Sequence, residues 1–253
     1  MTAPTNRPRF RAAPVQEVVL DIRVQPREGL SVDDLLAAMK SLSRYYPQIT
    51  RYEPVEDEGS AVNIGARTLE SASRISGLLF SANDDRRYIQ AAVDGLTFNV
   101  LAPYSGWEAL RAEAEIVFQY YTMGCDPQAI TAISLRYINN VVGNEPLFRF
   151  ERYLKVHPVI ATGFLGSEVI SGFYMQLQLP QRDDPETTIV LTEASRPSPT
   201  GSVTIMLDLE VRKHGEWSTG STEELFADIE LLHTRAYAAF IDCTTAEYRE
   251  SIS

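Results

Sequence analysis

The chain has 253 residues, 44% hydrophobic and 23% charged, an ordinary globular composition with ample apolar surface for a sizeable core. Its formal net charge of −11 argues against a general nucleic-acid binder, which carries a basic domain or stripe. Apolar runs fall short of the roughly 18–20 residues that span a bilayer. The basic opening lacks the apolar stretch of a secretory signal, so a cytoplasmic setting is expected.

Residues 1–13, with Arg7, Arg9 and Arg11, read as a flexible basic arm. Val18, Leu20, Ile22 and Val24 then alternate with polar positions that include Glu17, Asp21 and Arg23, the pattern of a half-buried strand. Ser31 is placed to cap a helix reaching to about Tyr46, with Asp33 and Asp34 in its positive first turn and Leu35, Leu36, Met39 and Leu42 as its stripe. Short strands are expected at 49–55 and 62–68. A meander follows: a strand at 75–81, a turn at 83–85, a strand at 86–93, the tight turn Asp94-Gly95, and a strand at 96–101. Ser105 and Glu108 have the spacing of a capping box for a helix to about Thr122, with Leu110, Ala114, Val117 and Tyr121 inward.

The stretch 133–142 reads I-S-L-R-Y-I-N-N-V-V, an interior strand by its β-branched content that nonetheless carries Arg136, Asn139 and Asn140. A guanidinium and two carboxamides on a buried strand need hydrogen-bond partners. They mark either a structural polar network or the floor of a binding site. A short helix at 147–155 and three alternating strands, 173–179, 188–193 and 203–212, come next. In the first of these, Phe173, Met175, Leu177 and Leu179 form the apolar face. Thr222 opens a last long helix with Leu225, Ile229, Leu232, Ala236 and Phe240 inward, and Thr244 with Glu247 restarts a short terminal helix.

Strands outnumber helices and run as meanders, so the expected fold is α+β: antiparallel sheets with helices packed on one face. The expected organisation is the arm at 1–13, an N-terminal half at 14–143 and a C-terminal half at 144–253. Both halves run strands and then a helix, as two related halves would, without a residue-level repeat.

Several constellations bear on chemistry. Glu17, Asp21, Arg23, Arg136, Asn140, Gln176, Gln178, Asp208 and Glu210 share or flank the polar sheet surface, where Arg136 is suited to grip a carboxylate or phosphate. Cross-strand ion pairing is the plainer reading of that surface. His157, His214 and His233 lack metal-ligand spacing, and His233 lies on the apolar stripe of the last helix, where a satisfied core histidine is the usual case. Tyr104 and Trp107 open a helix and suit core packing or an interface anchor. Gly163-Phe164-Leu165-Gly166-Ser167 is no nucleophile elbow, and phosphate-binding glycine motifs are missing. Cys125 and Cys243 match no metal or redox spacing and read as small buried thiols. No cofactor or metal is expected, and enzymatic activity is disfavoured.

The segments P-V-Q-E-V-V-L at 14–20, T-F-N-V-L-A-P-Y-S-G-W at 97–107, L-R-Y-I-N at 135–139 and L-L-H…A-F-I-D-C-T-T at 231–245 span nearly the whole chain. In these the sequence resembles a sporadically distributed prokaryotic family of uncharacterised proteins of about this length. The resemblance singles out Glu17, Tyr104, Trp107, Arg136, Tyr137, Asn139 and His233. It implies no particular reaction, and its patchy distribution implies an accessory role in mobile or defence-related loci.

Two functions follow as expectations. The first is a non-catalytic binding or adaptor protein acting through a protein partner or as a homodimer. The second is a small-molecule or nucleotide sensor, or an enzyme with an unfamiliar site, whose pocket is built on Arg136 with Glu17, Asn139, Asn140, Tyr104, Trp107 and His233. Nucleic acid is disfavoured as a partner by charge, and a membrane by the lack of a span.

Overall fold

A computed structural model of the chain describes residues 10–52, 61–64, 67–70, 77–143, 149–161, 170, 172–196 and 203–253. Most of the expected arm, the G-F-L-G-S segment, the start of the helix at 147 and most of the boundary at 143–146 lie outside the described residues.

The alternation read from the sequence resolves into strands β1 Val15–Gln25, β2 Gln48–Tyr52, β3 Ala61–Ile64, β4 Arg67–Glu70, β5 Gly77–Ser81, β6 Arg87–Ala92, β7 Gly95–Leu101, β8 Ala129–Val142, β9 Tyr174–Pro180, β10 Thr187–Arg196 and β11 Thr204–Trp217. Nine of them form one antiparallel sheet in the order β2-β5-β6-β7-β1-β8-β11-β10-β9, and β3 pairs with β4 separately. The helices are α1 Val32–Met39, α2 Trp107–Cys125, α3 Phe150–Tyr153, α4 Thr222–Cys243 and α5 Ala246–Ser251. The protein is α+β with an antiparallel sheet.

Two compact units emerge, neither of them a continuous half. One is built from Met1–Gln16, Arg136–Val211 and His233–Ser253, the other from Glu17–Leu135 and Arg212–Leu232. A division by chain order at 143/144 does not describe these units, because β1, β8, β11 and α4 each contribute residues to both.

In the unit containing Glu17–Leu135, most local signals act as read. The tight turn joining β6 to β7 falls at Val93-Asp94, one residue before the expected Asp94-Gly95, because Gly95 already pairs with Ala92 as the first residue of β7, in a register that runs back to Arg87–Val100. Ser31 caps α1 with a complete capping box to Asp34. Helix α1 ends at Met39 and a 3-10 turn carries the chain on to Arg44. Leu35 and Met39 of α1 and Leu110, Ala114, Val117, Phe118 and Tyr121 of α2 are buried.

Two caps differ from expectation. The N-cap of α2 is Gly106, not Ser105, and it makes no side-chain cap bond. Its φ of 117° is a conformation open to glycine, so the chain turns one residue later than the Ser-x-x-Glu spacing implies. At α5 the capping side chain is Thr245, which accepts from Tyr248 N, while the Thr244 hydroxyl donates to Phe240 O. Strand β11 also continues past its expected end at 212 as far as Trp217.

Helices α1 and α2 approach so closely that a Cβ on Gly124 would lie 1.9 Å from Ala38 Cβ. Gly124→Ala is therefore expected to lose about 1–2 kcal/mol of stability, although alanine is the better helix former. Chemical denaturation measures this directly. An unchanged midpoint would mean that the two helices part easily.

The other unit has its own core. Val141, Leu154, Leu191, Ile205, Leu207, Leu209, Phe240, Cys243 and Tyr248 are buried together. Phe10, Phe150, Phe173 and Ile252 pack against this cluster from partly buried positions.

Candidate functional site

Side chains on successive strand residues point to opposite faces, so the apolar alternation of β1 obliges Glu17, Asp21 and Arg23 to share the other surface. Register places Asp21 opposite Thr97, with Gln90 next to Thr97 on β6. The Thr97 hydroxyl donates to Asp21 Oδ1 at 2.6 Å, and Arg23 donates to both Asp21 oxygens at 2.8 and 3.0 Å and to Asp94 at 3.1 Å. Gln90 donates to Asn99 at 3.0 Å, and Asn99 donates to Glu17 Oε1 at 2.7 Å. Burial raises the pKa of the Asp21 carboxyl, against the opposing pull of the Arg23 guanidinium.

The sequence reading named Glu17, Asp21 and Arg23 but missed Gln90, Thr97 and Asn99. The signal was present, since Thr97 and Asn99 alternate with Leu96, Phe98 and Val100 as a second polar row. The result is a buried polar network in which carboxylates receive donors from neighbouring strands, a structural use of these groups.

Trp107 is buried at the start of α2, and its indole N–H donates to Glu230 Oε2 at 2.6 Å. With Glu108, Arg111, Ala112, Glu115 and Glu230 it lines an open cleft of about 320 Å³. Arg111 stands 3.8 Å from Glu230 in this cleft. Tyr104 is half-buried.

Arg136, Asn139, Asn140 and His233 belong to the other unit. Arg136 Nε donates to Asp208 Oδ1 at 2.9 Å and Oδ2 at 3.0 Å, and its Nη2 donates to Oδ2 at 2.5 Å. Asp208 is only 4% exposed, so the guanidinium neutralises a buried carboxylate. Asn139 is buried and donates to the carbonyls of Tyr137 and Leu207, both at 3.1 Å. The Asn140 backbone N–H donates to Pro14 O at 2.9 Å. His233 is half-buried, with Nδ1 2.9 Å from the Tyr137 hydroxyl. Arg136 thus faces a carboxylate, and the Asn139 carboxamide bonds the backbone around it, while Asn140 is tied to Pro14 through its backbone N–H.

The same unit holds a feature of another kind. Strand β9 ends the sheet order, and among the described residues it pairs with β10 alone. Its expected apolar face is left open: Leu177 is 36% exposed and Leu179 45%, while Tyr174 on the opposite face is 67% exposed. The reason is position. A strand at the margin of the sheet has a neighbour on one side only, so alternation that buries β11 leaves β9 in solvent. From Tyr174 to Pro180 the strand reads Y-M-Q-L-Q-L-P and carries no charge.

Facing Met175 across the β10–β9 pair is Glu193. It is fully buried, and among the described residues neither carboxylate oxygen has a hydrogen-bond partner. Burial raises its pKa to about 7. The buried Cys243 thiol is pushed up to about 12, chiefly by burial, with the Glu193 charge adding to the shift.

No protein-family model matches the chain, and no curated protein is significantly similar to it. Among the described residues no helix is long and apolar enough to cross a membrane, and no cluster of His, Cys, Asp or Glu is arranged to hold a metal.

Proposed function

We propose that this chain is a non-catalytic binding or adaptor protein acting through a protein partner, and that an extended segment of the partner adds to the outer edge of β9. The exposed, uncharged β9 edge is the observation that carries this reading. An edge strand displays unpaired N–H and C=O groups, and proteins ordinarily protect such edges with charge, proline or a cover. Within the β9 sequence the terminal Pro180 alone serves that purpose, and among the described residues no further strand pairs with the outer edge. At the other end of the sheet β2 carries Arg51, which is ion-paired with Asp33.

Strand addition supplies main-chain hydrogen bonds for affinity, while exposed side chains on the two faces select the partner. Covering Leu177 and Leu179 contributes about 1 kcal/mol each from area alone. Against the rival pocket reading stands the engagement of Arg136 with Asp208, which occupies the guanidinium that reading needs.

Leu177→Lys places a charge on the open edge without touching the core. The tagged chain isolated from its own cells under native conditions is expected to bring down its partner, and the variant to lose it while keeping the parent Tm. Equal recovery by both chains, or recovery of free monomer alone from the parent, would refute the proposal.

A further inference from the structure

We infer that the strand added to β9 is β9 of a second copy of this chain, paired antiparallel about a twofold axis through Leu177. The inference rests on β9 being the docking edge and names the occupant. The strand is self-complementary in the way a twofold contact requires, since the same patch must serve both subunits.

With Leu177 opposite its own copy, Met175 meets Leu179 and Gln176 meets Gln178. The apolar row and the amide row each continue across the junction, and the full strand from Tyr174 to Pro180 is used. A slip by one residue would set Met175 against Gln178 and Gln176 against Leu177, mixing the rows. Slips by two residues keep the rows but leave strand ends unpaired.

Charge confines a contact between copies to this edge. The chain carries a net charge of −11, so two copies repel through most of their surface. The seven residues of β9 are neutral and offer a strip where copies meet without opposing charges. A strand pair alone covers less than the roughly 800 Å² per partner of a standard interface, so the dimer is expected to be reversible and concentration-dependent.

The register makes the test specific. Directly opposed residues in an antiparallel pair have Cα atoms about 4.5–5.5 Å apart, within the span of a disulfide. Leu177→Cys is expected to give a covalent dimer under mild oxidation. Tyr174→Cys is expected to give none, because its copy lies about 20 Å away along the paired strands. Mixed Met175→Cys and Leu179→Cys chains are expected to cross-link to each other. The native thiols are buried and leave the parent chain as the blank.

Light scattering of the parent at high-micromolar concentration is expected to approach twice 28.3 kDa, and Leu177→Lys to remain at the monomer mass. A parent that stays monomeric, or equal cross-linking at positions 174 and 177, overturns the second copy. If Leu177→Lys nonetheless loses a different captured protein, β9 remains the docking edge. If that capture is also unaffected, both readings fall.

Discussion

Glu193→Gln is expected to stabilise the protein by an amount that grows with pH. The Glu193 carboxyl lies on the same side of β10 as the core residue Leu191, with no hydrogen-bond partner for either oxygen among the described residues and a pKa raised to about 7 by burial. An unfolded glutamate titrates near its ordinary value of 4.5. Below that pH both states hold the proton and the side chain is close to neutral in its effect.

Between the two values the unfolded chain releases the proton while the folded chain retains it, so stability declines as pH rises. Above about 7 both states are ionised and the penalty levels off. At about 1.4 kcal/mol per pKa unit, the gain from Glu193→Gln should increase by about 3 kcal/mol between pH 4 and pH 8. Denaturant midpoints of the two chains across that range measure it. A difference that stays constant with pH would mean the carboxylate has a partner in the folded protein.

Arg136→Ala has the second largest expected effect. Asp208 is buried and takes three donor contacts from Arg136, so deleting the guanidinium leaves a charge in the interior without that counterion. Breaking such a pair typically costs about 3–5 kcal/mol, and the partial exposure of Arg136 reduces this to about 2–3. Replacing both partners with apolar side chains, Arg136→Met with Asp208→Leu, should recover most of the loss, because the remaining charge is removed too. Urea denaturation of the three variants distinguishes these outcomes. Recovery of stability without change in partner capture identifies Arg136 as structural. Full stability with lost binding in Arg136→Ala would return it to a ligand site.

Much of the fold was legible because its signals are local. The alternation of Val18 to Val24 and the Ser31 cap each follow from neighbouring residues alone, and the tight turn between β6 and β7 lies one residue from its expected place. The caps of α2 and α5 were misplaced by one residue because Ser105 and Thr244 have the right chemistry beside residues that hold the actual position. Arg136, Asn139 and Asn140 are legible as anomalous on their strand, yet the sequence alone does not reveal that the demand of Arg136 and Asn139 is met from within. Asp208 is 72 residues away, and only strand order brings it to Arg136.

The same limit hid the two features with the largest consequences. Phe173–Leu179 has the alternation of a buried strand, and exposure arises from being last in a sheet whose order is set by long-range pairing. Glu193 stood at the end of an expected strand, where a charged residue is ordinary. The strand in fact runs on to Arg196, and burial of Glu193 follows from its neighbours in space.

Hydrogen exchange of the β9 amides is the most direct test of the docking edge. It is measured on the chain as isolated natively with whatever it binds, and on Leu177→Lys isolated in the same way. Slow exchange of the outward-facing amides within residues 174–179 in the parent, and fast exchange of the same amides in the variant, is the expected result. Equally fast exchange in both would contradict the account, since an edge that adds a strand cannot leave its outward amides open to water.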